Sequence, residues 1–279
     1  EVMDELDGRI ATDAEAVLIV AGLGGGTGSG GAPALARELQ RVYEIPIYVL
    51  GILPGRDEGS IYQANAGRSL KTFTREADSV LVIDNDAWKT SDESIEEGFS
   101  AINDRIAERV GLLLAAGEIV EGVGESVVDS SEIINTLKDG GVASLGYASA
   151  LADEDAGENI NAITSTARKA LLTGTSLPQA VEADKALLVI AGHPDRIARK
   201  GVERARKWLE EETGSLEVRG GDFPLSSDRI AALVLLGGVE RSQRVQEFMD
   251  RAREASKQQE EPKESARDAF QNDELDDLM

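Results

Sequence analysis

The chain has 279 residues, a formal net charge of −23 and no cysteine. The acid excess repels polyanions and excludes nucleic acid as a partner. The lack of thiols excludes disulfides, thiolate metal sites and cysteine nucleophiles. No apolar run reaches the length of a membrane span and no signal peptide opens the sequence, so the expected compartment is the cytoplasm. Arginine outnumbers lysine in this acidic composition, a balance that suits a halophile's high-salt interior, where screening tolerates self-repulsion.

In chain order, an acidic helical remnant, Glu1 to Thr12, leads into a buried-looking strand, Ala16 to Leu23. Then comes the densest glycine run of the chain, from Gly22 to Gly31, ahead of a helical pattern from Ala32 to Tyr43. A strand, a glycine loop and a helix start in that order make a phosphate cradle: the loop's N–H groups and the helix's positive end converge on one point. Gly26-x-Gly28-x-x-Gly31 matches the dinucleotide fingerprint formally, but the tip of the next strand, Gly51-Ile52-Leu53, lacks the acid that would hold a ribose there. No Gly-Lys-Ser/Thr follows, which excludes a lysine P-loop, and Thr27 stands where a hydrolase elbow needs its first glycine.

Strand runs Pro46–Leu53 and Ser79–Asp84, with a helical stretch Ser60–Ala77 between them, predict a parallel sheet covered on both faces. From Ser91 to Gly117 the residues Ile95, Phe99, Ile102, Ile106, Val110, Leu113 and Leu114 recur at helical spacing, predicting a long helix buried between two domains. The second half reads as helix Ser131–Lys138, strand Gly141–Tyr147, helix Asn159–Leu172, strand Ala186–Ala191, helix Asp195–Thr213 and strands Ser215–Arg219 and Ile230–Leu236, an α/β unit with a mixed sheet. His193, the only histidine, reads as a turn residue. From about Arg251 the pattern decays into a charged tail, predicted disordered, whose end Asp273 to Met279 carries two leucines and reads either as a solvated tail or as a short docking motif for protein partners.

Gly24-Gly25-Gly26-Thr27-Gly28-Ser29-Gly30 resembles the signature loop of the tubulin/FtsZ superfamily, and other segments agree with it in order and spacing. The wording of residues 22–33 and 127–135 resembles the archaeal CetZ branch closely. The resemblance runs to about residue 250 and implies a GTPase that stacks head to tail into filaments and influences cell shape. It implies that Gly24, Gly25, Gly26, Thr27 and Gly28 hold the GTP phosphates, that Glu58 contacts the ribose, and that Asn85, Phe99 and Asn103 meet the guanine. It also implies that the Val128–Glu132 loop is catalytic, with Glu132 orienting the water and Asp129 beside it. With neither lysine nor histidine at the phosphates, Mg2+ or another cation is expected to travel with them, without a metal site of the protein's own.

Read from spacing alone, several of these residues have a plainer role. Asp129-x-x-Glu132 is also a capping box, Glu58 suits a helix's first turn, Asn85 a turn after a strand and Phe99 a core position. The superfamily's earlier strands have no counterpart, so the chain reads as N-terminally truncated; the GTPase expectation is for the intact protein, and this chain alone is expected to bind GTP poorly and to be inactive. The expected organisation is a remainder of the GTP-binding domain over 1–90, a connecting helix over 91–117, a C-terminal α/β domain over 118–250 and an acidic tail over 251–279. The alternative function is a non-hydrolysing regulator or scaffold of the same fold that acts through its tail.

Overall fold

The computed structural model describes residues 2–10, 12–89, 95–118, 128–239 and 242–260. A seven-stranded mixed sheet runs in the order β1-β2-β3-β4-β7-β5-β6. Its strands are β1 Val17–Gly22, β2 Ile47–Leu53, β3 Ser79–Asp84, β4 Val142–Leu151, β5 Ala183–Gly192, β6 Glu217–Pro224 and β7 Arg229–Val239. The helices are α1 Val2–Asp7, α2 Ala32–Val42, α3 Ser60–Glu76, α4 Ile95–Gly117, α5 Ser130–Leu137, α6 Asn159–Leu172, α7 Arg199–Thr213 and α8 Gln243–Glu260.

Strands β1 to β3 are parallel, as their continuous apolar runs require, while β7 lies antiparallel between β4 and β5. The two expected α/β halves share one sheet, joined by a narrow seam. β3 and β4 pair at only two positions, Val80 with Val142 and Leu81 with Ala143. Beyond them the strands diverge and Ser176 takes up their open groups. Its hydroxyl donates to Val82 O (2.8 Å) and accepts from Leu145 N–H (3.0 Å), and its carbonyl accepts from Asp84 N–H (3.0 Å). Buried backbone groups need such partners, so the segment is part of the sheet in all but name.

Side-chain alternation assigns the layers. Leu50, Leu81, Ile83, Leu187, Val189 and Leu233 face α4 and α5 in one core that crosses the seam. On the other face, Val49, Val80 and Val82 meet Leu39, Phe73 and Phe248, and Leu188, Ile190 and Val234 meet Ile163 and Leu209.

β1 is an edge strand, hydrogen-bonded to β2 alone among the described residues, and Val20 is 59% exposed. Two expectations need correction. The apolar stripe of α4 is only partly buried: Ile102, Ile106 and Leu113 are, but Phe99 and Leu114 face solvent. The chain does not decay at Arg251, because α8 continues to Glu260 with Ala252 and Ala255 buried against its neighbours. A Cβ on Gly67 would lie 2.4 Å from Ala252 Cβ, so α3 and α8 approach closely enough that only glycine fits at 67 opposite Ala252. Residues 261–279 lie outside the described residues.

α4 is anchored by Arg109, a buried cation that contacts carbonyls and rings. It donates to Gly174 O (2.6 Å) and Arg105 O (2.7 Å), and its guanidinium lies 4.3 Å from the Trp88 ring centroid. Burial draws its pKa down to about 10, so it stays charged at neutral pH. Arg109→Leu removes these charge-assisted hydrogen bonds and the ring contact and is expected to lower stability by about 3 kcal/mol, read from the denaturant midpoint.

Candidate functional site

The glycine loop leaves the carboxyl end of β1, continues one rung beyond it through Leu23 N–H to Ile52 O (2.9 Å), and enters a π-helical turn at Thr27–Gly31 that runs into α2. None of its glycines is among those with positive φ, which are Gly140, Gly141, Gly214 and Gly238. What demands glycine is proximity: a Cβ on Gly28 would sit 2.1 Å from Gly22 O. Gly24 lies against Tyr62, and its carbonyl accepts from Asn65 Nδ2 (3.3 Å); the Ser29 hydroxyl donates to Gly25 O. Gly25, Gly26 and Thr27 are exposed at the loop's crest, and a Cβ on Gly25 or Gly26 would meet nothing within 4 Å. Helix-initial N–H groups there have no intrahelical acceptor. The crest is therefore open, rigidly backed and rich in donors.

Glu58 does not cap α3. The N-cap there is Gly59, without a side-chain bond, and the Glu58 carboxylate instead accepts from Gly55 N–H (2.7 Å). Gln63 braces the same loop by donating to Gly55 O (2.6 Å). Because α3 also supplies Tyr62 and Asn65 to the glycine loop, this one helix start holds both loops at the same end of the sheet.

Asn85 opens a single 3-10 turn after β3, with the Asp84 carboxylate accepting from Asp86 N–H (3.1 Å). It is thus a turn residue, but a buried one, and its Oδ1 has no hydrogen-bond donor. Burial pushes the Asp84 carboxyl up to about 6. Phe99, 42% exposed, lies with its ring centroid 6.0 Å from Lys89 Nζ, and Lys89 pairs with Asp57 in the Glu58 loop. It is no core residue. Asn103, one turn further along α4, is also exposed. Glycine crest, Glu58, Asn85 and the start of α4 therefore all lie at the carboxyl ends of the parallel strands, where such sheets bind ligands.

Asp129 and Glu132 are elsewhere. Asp129 is the N-cap of α5 and accepts from Glu132 N–H (3.1 Å) and from the Ser131 hydroxyl (2.6 Å), which holds its pKa below the usual carboxylate range. Glu132 does not complete the capping box: among the described residues its carboxylate takes no hydrogen bond or ion pair. Burial, then the charge of Asp129, raises its pKa. Ser130 and Ile133 share a cavity of about 230 Å³ with Glu15, Ala16 and Leu18, at the start of β1. β1 climbs about 20 Å from there to the glycine loop. The acid pair and the glycine crest thus lie at opposite ends of the sheet.

Residues 92–254 match the model of the tubulin-like CetZ C-terminal domain, and residues 1–92 that of the tubulin/FtsZ GTPase domain. The chain belongs to the CetZ family of tubulin-like proteins. It is 66% identical to tubulin-like protein CetZ2 of Haloferax volcanii over its whole length, which spans 78% of that protein, and 49% identical to CetZ1 of the same organism, covering 91% of this chain and 72% of CetZ1. A structure of a CetZ2 protofilament with GTPγS bound superimposes with a TM-score of 0.87 over 93% of this chain and 75% of that one, at 65% identity. The CetZ fold accounts for the expected α/β class. Motif reading missed the residues that brace the CetZ loops, Tyr62, Gln63, Asn65 and Lys89. Their polar positions near a helix start resemble any solvated face, and only the tertiary contact distinguishes them.

Proposed function

We propose that the protein binds GTP at the glycine end of the sheet and assembles head to tail into filaments in which GTP is hydrolysed between subunits. The observation that carries this reading is the separation of the two half-sites: a donor-rich crest at one end of the strands and a half-buried acid, Glu132, at the other. Within one chain they are out of reach of each other. Stacking one copy's base on the next copy's crest brings them together, and such a heterologous contact repeats without closing. The GTPγS-bound protofilament of CetZ2 supports the same arrangement.

The residues then divide the work. N–H groups of Gly24 through Gly28 and the helix start receive the phosphates, Glu58 the ribose, and Asn85, Phe99 and Asn103 the guanine. Glu132 of the adjoining copy accepts a proton from the water that attacks the terminal phosphorus, and the bond to the β-phosphate oxygen breaks. Among the described residues no group of three or more acids or histidines could hold a metal ion, so a cation such as Mg2+ would be carried mainly by phosphate oxygens and water, with the Thr27 hydroxyl within the cradle. Resemblance to the CetZ branch extends the proposal to cell-shape control in the cytoplasm, with the acidic tail meeting partners.

Turnover measured against protein concentration tests the central point. Activity per subunit should rise steeply through the assembly threshold; a flat, zero rate with filaments present would favour the scaffold. Base recognition is tested at Asn103, whose exposure uncouples it from the core. Asn103→Ala is expected to weaken GTP binding by about tenfold to a hundredfold and narrow its preference over ATP. The melting temperature should stay unchanged, and an unaltered guanine preference would remove Asn103 from the site.

A further inference from the structure

The first turn of α8 is tied to the nucleoside end of the candidate site by a chain of ion pairs. Arg244 Nε lies 2.5 Å from Asp84 Oδ2, Nη2 lies 3.5 Å from Asp86 Oδ2, and Nη1 lies 3.8 Å from Glu247. Asp84 caps the turn that begins with Asn85, and Asp86 is part of that turn. Asp86 also accepts the backbone N–H of Arg56, at 3.1 Å to each carboxylate oxygen, two residues before Glu58. One guanidinium therefore joins the Asn85 turn and the Glu58 loop to a helix from the far end of the sequence.

Exposure separates the parts of the chain that hold from those that do not. The side chains of Asp84, Asp86 and Arg244 are 4%, 13% and 15% exposed, so their geometry is fixed in a dehydrated site. Arg56, at 51%, pairs with Asp86 and Glu247 largely in water, where such contacts contribute little. The glycine crest takes its backing from Tyr62, Asn65 and Ser29, outside this network.

We infer that Arg244 is a positioning residue for the nucleoside half of the site, setting through Asp84 and Asp86 the distance between the Asn85 turn and the Glu58 loop. The inference rests on the GTP reading for its ligand but not for its mechanics. Hydrogen exchange by mass spectrometry on the wild-type chain, Arg244→Ala and Arg244→Lys examines the mechanics alone. In the alanine variant, amides at 55–58 and 85–88 should exchange about tenfold faster, while those of residues 24–28 and of β5 and β7 keep their rates. Lysine should restore part of the protection, because it keeps the charge but loses the guanidinium fork. Uniform acceleration across the chain, or none at these loops, overturns the inference.

Calorimetry examines the ligand. Arg244→Ala should weaken GTP binding by about tenfold and narrow the preference over ATP, with inorganic tripolyphosphate bound as in the wild type. Equal weakening for tripolyphosphate would make Arg244 a general structural residue and defeat the assignment. A wild-type protein that binds no GTP would defeat the nucleotide reading, and the exchange rates would still decide the clamp.

Discussion

Glu132→Ala protein is expected to bind GTP almost as the wild type does and to hydrolyse it about two to four decades more slowly, the scale of a lost general acid–base group. The cradle is untouched by the change, and filaments should last longer because their GTP is no longer consumed. The effect should not pass through stability, since Asp129 alone provides the side-chain cap of α5. Asp129→Ala, by contrast, should lower stability by about 1 kcal/mol. Mixing Glu132→Ala with a variant disabled at Thr27 recreates one competent junction from two dead proteins. Turnover in the mixture should exceed the sum of the parts, and co-assembly without any recovery would count against catalysis across the interface. The raised pKa of Glu132 adds a pH signature. The working form is the carboxylate, so activity should fall on acidification from a point above the ordinary glutamate range, and Glu132→Gln should have no such limb.

The glycine crest gives the second large effect, because two of its glycines should fail in different ways. Gly28→Ala drives a Cβ to 2.1 Å from a backbone oxygen, a contact that only movement of the loop can relieve. Stability should drop by about 1–3 kcal/mol, with GTP binding lost alongside it. Gly26 has right-handed φ and ψ of −67° and −50° and open space around its missing Cβ. Gly26→Ala should therefore melt no lower than the wild type, and by about 0.4–1 kcal/mol it should be the more stable. Its GTP affinity should still fall by about tenfold or more, because the methyl group occupies the space that a phosphate needs beside the N–H groups. Unchanged affinity in this variant would move the cradle elsewhere.

How much of this was legible in the sequence depended on the range of the interactions involved. Helix α6 is read off Asn159–Leu172 because its spacing, start and end are all local. The crossover pattern of β1 to β3 is equally plain, and it places the glycine loop, Glu58 and Asn85 at one end before any coordinates are seen. The apolar run of β1, taken by itself, looks the same with one neighbour as with two. Positions 245, 248, 249, 252 and 255 of α8 do carry helical spacing, but alanines among charges give it little weight until Gly67 shows how close α3 lies. His193 is the turn residue expected, accepting Asp195 N–H (3.3 Å) through Nδ1. Arg244 had no signal for its role at the site: Asp84 and Asp86 are 160 and 158 residues away in the chain.

The seam between β3 and β4 has a mechanical meaning. Within each half, full-length ladders and packed helices resist deformation in every direction. Between the halves the sheet itself is joined only by two rungs and the bonds of one serine, while the core beneath α4 and α5 and the packing of α8 on α3 hold the halves together across that line. The ladder is thus thinnest at Ser176, and a load applied along a stack of subunits would cross that line through packed side chains more than through backbone hydrogen bonds.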